Sequence, residues 1–153
     1  MAEARVQQVG ERGGALRDRL AALGRELATR EAGEAQALER ARRAAAALHA
    51  VIADALAGFH EAAQAGGAPQ LRVTLEPPRT DDKHVRAVQF ALRRGRHAAI
   101  VTVKSRGEVT LVGPFHQGKD EGPCKTFPLD ATREIDAALG DFLDRFLHEA
   151  ATP

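Results

Sequence analysis

Apolar residues recur at alternating intervals of three and four near the start of the chain, and this spacing constrains the fold more than any other feature. Charged residues such as Arg17, Arg19 and Glu26 flank the apolar positions. The pattern is the heptad repeat of a coiled coil, in which apolar side chains at positions a and d meet those of another helix. The apolar positions are Val6, Val9, Leu16, Leu20, Leu23 and Leu27, with a gap at Gly13.

A second apolar stripe extends the predicted helix beyond residue 34. It follows the first after one heptad plus four residues, a stutter that locally unwinds a supercoil without ending the helix. Gly66-Gly67-Ala68-Pro69 is a typical helix stop. The sequence therefore predicts a helical, coiled-coil segment over residues 1–66, which either continues through Gly33 or folds back there. The second stripe comprises Leu38, Ala41, Ala45, Leu48, Ile52, Ala55 and Phe59.

Residues 70–150 predict a small β-β-β-β-α domain. Strict alternation of apolar and polar residues in 71–75 is typical of a strand with one solvated face. Short connections between the strands favour an antiparallel meander. Residues 79–83 are predicted as a charged loop and 113–128 as an irregular segment. The four predicted strands cover residues 71–75, 85–92, 98–104 and 109–112.

A closing helix is predicted from an N-cap at Asp130 to about Ala150. Its apolar stripe is wide enough to bury one face against the sheet. The predicted fold class is therefore α+β, with a long N-terminal coiled-coil-like helix, a four-stranded antiparallel meander and a C-terminal amphipathic helix packed on the sheet. The stripe contains Ile135, Ala138, Leu139, Phe142, Leu143, Phe146 and Leu147.

Composition narrows the function classes. The 22 basic and 21 acidic residues give a net charge of +1, which argues against a dedicated polyanion binder. A single cysteine, Cys124, excludes an intrachain disulfide and favours a reducing compartment. Residues 1–9 lack the apolar core of a signal peptide, and no apolar run is long enough to cross a membrane. We therefore expect a cytoplasmic protein, and the abundance of Ala and Arg suggests a bacterial source.

Candidate chemistry concentrates in residues 113–128. Gly113, Gly118 and Lys119 match the spacing of a phosphate-binding P-loop, but Asp120 stands where that motif needs Ser or Thr. Cys124 lies nearby with His116, and such a pair can form a nucleophile or part of a metal site. Because no third ligand is close in sequence, we predict no catalytic residue, cofactor or metal, and a small enzyme using this segment ranks as the third hypothesis.

An arginine cluster supports a second hypothesis, a nucleic-acid-associated regulator. Arg93, Arg94 and Arg96 fall in one predicted turn, where they could contact phosphate groups. The predicted sheet offers only Phe90 as a stacking platform for bases, and its position indicates core. The competing interpretation is that these arginines are solvated charges that prevent pairing at sheet edges.

The leucines of the first stripe are the best-supported functional feature. Leu16, Leu20, Leu23 and Leu27 form an apolar surface that requires a partner unless the helix folds back at Gly33. A homodimer is the commonest solution. We therefore predict a non-enzymatic interaction or assembly module, an adaptor that dimerises or docks through this helix. Its open sheet face, or residues 113–128, would contact a further protein, and no membrane partner is expected.

Overall fold

The computed structural model describes residues 2–81, 86–116, 118 and 122–152, with side chains from Gly10 onward. The α+β class predicted from the sequence is confirmed, although the described part of the chain has six strands rather than four. The residues form two compact units, 1–36 and 37–153. The elements are α1 (Ala2–Ala65), β1 (Thr74–Leu75), β2 (Arg79–Asp81), β3 (Ala87–Arg94), β4 (His97–Lys104), β5 (Glu108–His116), β6 (Cys124–Pro128) and α2 (Thr132–Ala151).

The first unit consists of the N-terminal part of α1. The helix continues through Gly24 and Gly33, although each glycine costs about 1 kcal/mol relative to alanine. A hairpin about Gly33, one of the two sequence alternatives, is therefore wrong. None of the described side chains from Gly10 to Gln36 is buried.

The C-terminal end of α1 is closed by glycine, as the sequence predicts. Gly67 adopts a positive φ of 86°, a conformation that glycine reaches without steric cost. The amide of Ala68 then donates to the carbonyl of Ala63 at 2.8 Å, and the amide of Gly67 donates to Gln64 at 3.1 Å. This pair of bonds is a Schellman motif, which satisfies two carbonyls of the last turn.

The sheet is antiparallel with the order β1-β3-β4-β5-β6, and β2 also pairs with β3. β1 and β2 form one edge, interrupted at Pro77-Pro78 because proline cannot donate to a sheet ladder. Two sequence predictions are wrong here. Residues 79–81, expected in a loop, pair with β3, and residues 113–128, expected to be irregular, supply the end of β5 and all of β6.

The core lies on the sheet face that carries Phe90, Val101 and Leu111, which are cross-strand neighbours. Residues of α2 and of the second half of α1 pack with this face in one apolar cluster. Ile135, Leu139, Phe142, Phe146 and Ala150 of α2 are buried. The closing helix is thus confirmed, except that its N-cap residue is Ala131 rather than Asp130.

The buried stripe of α1 differs in one position from the predicted heptad. Ala41, Ala45 and Ile52 are buried as expected, but Leu56 is buried in place of Ala55, which is exposed. A straight α-helix has 3.6 residues per turn and drifts away from a repeat of 3.5, so the buried line moves forward by one residue. The second half of α1 therefore packs as an ordinary core helix.

Polar contacts tie α1 to the edge formed by β1 and β2. The ring of His49 lies edge-on to Phe90 at 5.1 Å, and its Nε2 is 3.1 Å from the carbonyl oxygen of Glu76. Further along the helix, the amide of Val73 donates to Nε2 of His60 at 3.0 Å. The two histidines satisfy backbone groups beside β1, which gives them a structural role in docking the helix.

Candidate functional site

The leucine stripe, defined as Leu16, Leu20, Leu23 and Leu27, is exposed to solvent. The exposed fractions of these side chains are 58, 56, 45 and 44%, respectively. Successive spacings of four, three and four residues place them at heptad positions d, a, d and a. An apolar side chain gains roughly 1.5–3 kcal/mol when it is fully buried, so this surface favours contact with another apolar surface.

Charges and small residues border the leucine stripe. Arg19 and Glu26 occupy g positions, directly before the a-position leucines, and Arg17 occupies an e position. Ala21 and Ala22 lie at positions b and c, which face away from the partner in a coiled coil. All five of these residues are exposed. An apolar line with charges on its flanks is typical of helix surfaces that pair with a second helix.

The three predicted arginines do not form one surface. Arg93 and Arg94 belong to β3 rather than to a turn, and neighbouring residues of a strand point to opposite faces. Arg93 pairs with Glu76, with 2.5 Å between Nε and Oε1. Arg94 donates to the carbonyl oxygens of Ala150 and Gln70. Only Arg96 has no hydrogen-bond or salt-bridge partner among the described residues.

Arg94 and Arg96 line a cleft of about 510 Å³ at one end of the sheet, which we call the basic cleft. Arg72 also lines it, and the guanidinium group of Arg72 has no hydrogen-bond or salt-bridge partner within the described parts of the chain. The rings of His97 and His116 meet at 90° with their centroids 5.0 Å apart. The lining residues are Gln70, Arg72, Arg94, Gly95, Arg96, His97, His116 and Ala150, and none of them is acidic.

The C-terminus of α2 contributes a competing negative potential to the basic cleft. The carbonyl oxygen of Ala150 accepts from Arg94, and that of Thr152 lies 3.2 Å from Nε2 of His97. The last carbonyls of a helix carry partial negative charge. Arg94 therefore partly neutralises the helix end, and the charge available for a ligand comes chiefly from Arg72 and Arg96.

The thiol and P-loop alternatives gain no geometric support. Cys124 is exposed in β6 and pairs with Val112, whereas His116 pairs with His97 four residues further along β5. Cys124 and His116 are therefore not cross-strand neighbours. Lys119 lies outside the described residues. Within the described ranges there is no group of three or more His, Cys, Asp or Glu residues that could hold a metal ion.

Comparisons with known proteins add no functional assignment. No family model, curated protein or solved structure matches the chain. Among the described residues, no helix combines the length and apolar character needed to span a bilayer. The leucine stripe and the basic cleft each suggest a function.

Proposed function

We propose that the chain is a non-enzymatic interaction module that self-associates through the leucine stripe. The observation that carries this proposal is the exposure of Leu16, Leu20, Leu23 and Leu27, at 44–58%, on a helical segment in which no described side chain is buried. Monomeric proteins rarely leave a contiguous apolar stripe in water, and such stripes mark interaction sites. The heptad spacing favours a second helix as the partner, and a second copy of the chain supplies one with matched spacing.

The position of the core also supports this proposal, because the core and the leucine stripe lie in different units of the chain. All of the buried side chains among the described residues lie between Ala41 and Ala150. The apolar core of the second unit therefore contains none of the four leucines of the stripe. We further propose that this module acts as an adaptor in a bacterial cytoplasm, where a reduced, exposed Cys124 is stable.

Deletion of residues 1–33 tests the role of the leucine stripe. We expect the full chain to approach twice its mass of 16.4 kDa as its concentration rises through about 1–100 µM, and the shortened chain to stay monomeric. Sedimentation velocity measures both masses. Cooperative thermal unfolding of the shortened chain serves as the folding control. A full chain that remains monomeric, or a shortened chain that still dimerises, would contradict the proposal.

The basic cleft supports a second candidate function, the binding of a phosphate-bearing ligand such as a nucleic-acid backbone. Arg72 and Arg96 present guanidinium groups that no described residue engages, and guanidinium groups bind phosphate in bidentate geometry. The absence of acidic side chains from the lining removes local repulsion of an anion. The net charge of only +1 makes this a localised site rather than a basic surface.

Replacing Arg72 and Arg96 with alanine is expected to weaken binding of a labelled single-stranded oligonucleotide by roughly tenfold. Fluorescence anisotropy measures the affinity, which should also fall as salt is raised from about 50 to 200 mM. Arg43→Ala with Arg106→Ala is the matched control, because it removes two arginines that pair with glutamates away from the basic cleft. Equal losses in both double variants, or no binding by the wild type at low salt, would reject this candidate.

A further inference from the structure

We infer that two copies of the chain pair through the leucine stripe with their helices antiparallel. This inference rests on the proposed self-association and specifies its geometry. In one antiparallel register, Leu20 lies opposite Leu23 of the other copy and Leu16 lies opposite Leu27 of the other copy. Paired residue numbers then add to 43, and each of the four leucines in each copy meets a leucine. A shift by one heptad in either direction sets some of these leucines against Gly13 or Arg30.

A parallel dimer in register would also set each of the four leucines against a leucine, so the layers beside the leucine stripe are the first to favour the antiparallel orientation. Gly13 occupies the a position before Leu16, and Arg30 occupies the d position after Leu27. A parallel dimer would set Gly13 against Gly13, leaving a hole, and Arg30 against Arg30, placing like charges in contact. The antiparallel register sets Arg30 opposite Gly13 of the other copy. The hole then accommodates the aliphatic part of the arginine, whose guanidinium group reaches solvent.

Charges on the flanks of the leucine stripe independently favour the antiparallel orientation. Residues at positions e and g set the orientation of a coiled coil through their charges. The antiparallel register brings the two g positions together, so Arg19 faces Glu26 of the other copy, and this attractive pair occurs twice. A parallel dimer would bring position g to position e of the next heptad. Arg12 would then face Arg17, and Glu26 would face Glu31, with each repulsive pair occurring twice.

Charge reversal at Glu26 distinguishes the two orientations because it should weaken an antiparallel dimer and strengthen a parallel one. Glu26→Arg removes the two attractive pairs of the antiparallel dimer and adds two repulsive ones. Because each of these four changes contributes a factor of about two, we expect the dissociation constant to rise roughly tenfold at low salt. Adding Arg19→Glu to Glu26→Arg recreates both pairs in reversed order and restores the affinity. In a parallel dimer, Glu26→Arg would instead attract Glu31 and tighten association.

The matched control is Asp18→Arg, which makes the same change of charge at an outward-facing f position. It should change the dissociation constant by less than about twofold. Sedimentation equilibrium at low salt measures the dissociation constants of the wild type, the Glu26→Arg variant, the double variant with Arg19→Glu, and Asp18→Arg. Association tightened by Glu26→Arg would overturn the orientation alone. A monomeric wild type, or a dimer that survives Leu20→Glu with Leu23→Glu, would overturn the proposed function as well.

Disulfide trapping gives a readout that does not depend on charge. In a Cys124→Ser background, a mixture of the Leu16→Cys and Leu27→Cys proteins should form a mixed disulfide on mild oxidation, and each protein alone should not crosslink. If one of the two proteins carries a tag, the mixed and self-crosslinked products differ in mass, and nonreducing electrophoresis separates them. Crosslinking of each protein with itself, without preference for the mixed product, would overturn the antiparallel arrangement.

Discussion

A protein carrying Leu20→Glu and Leu23→Glu is expected to be monomeric at concentrations at which the wild type dimerises. Leu20 and Leu23 occupy the two central layers of the leucine stripe, so the dimer would gather four carboxylates in place of four leucines. The change removes apolar burial and adds both desolvation and like-charge repulsion. We expect the dissociation constant to rise by at least about a thousandfold, as measured by sedimentation velocity or light scattering.

The control for this variant lies between the two substituted positions. Ala21→Glu with Ala22→Glu adds the same two charges to the same helical turn, at positions that face away from a coiled-coil partner. This protein should dimerise as the wild type does, and circular dichroism should show similar helix content for both variants. Equal disruption by the two pairs of substitutions would mean that the added negative charge, rather than the loss of the leucines, causes the dimer to dissociate. That result would refute the role of the leucine stripe.

The long helix and its stop could be predicted because their signals are local. The spacing of Leu16, Leu20, Leu23 and Leu27 determines which side chains share a helix face without reference to the rest of the chain. Gly67 ends the helix through its own backbone conformation. Alternating apolar residues likewise indicated β3, β4 and the first part of β5, whereas the alternation in residues 71–75 predicted a longer strand than the observed Thr74–Leu75.

The two missed strands carry no such alternation. All three residues of β2, Arg79–Asp81, are exposed, and in β6 only Phe127 is partly buried. Both strands are held by backbone pairing to a neighbour, β2 to β3 and β6 to β5. Backbone hydrogen bonds do not require particular side chains. The residues of these two strands therefore form charged and Pro-rich stretches that resemble loops in the sequence.

The basic cleft could be predicted only in part because its residues come from separate segments. Arg72 precedes β1, His97 begins β4 and His116 ends β5. His97 and His116 become neighbours only because β5 extends beyond Val112, past an irregularity in the pairing with β4. Arg93, by contrast, lies in β3 and pairs with Glu76, and it does not line the cleft. Only the cross-strand register shows that Arg72 and the two histidines, rather than Arg93, line the cleft.

Ile52→Ala is expected to lower the free energy of unfolding by about 2–5 kcal/mol. The Ile52 side chain is 0% exposed and belongs to the same apolar cluster as Phe90 and Phe146. Its truncation would remove apolar contacts and leave a cavity in a close-packed interior. A loss of this size would establish that the second half of α1 is part of the core rather than an extension of the dimerising segment.

Val51→Ala provides the matched control for Ile52→Ala. Val51 is also β-branched and occupies the adjacent helical position, but it is 58% exposed. Its replacement should change the unfolding free energy by no more than about 0.5 kcal/mol, since alanine favours the helix and little packing is lost. Urea denaturation should be measured in the Leu20→Glu, Leu23→Glu background, because dimerisation makes apparent stability depend on protein concentration. Similar stability changes for both alanine variants would show that α1 does not pack on the sheet through the face that carries Ile52.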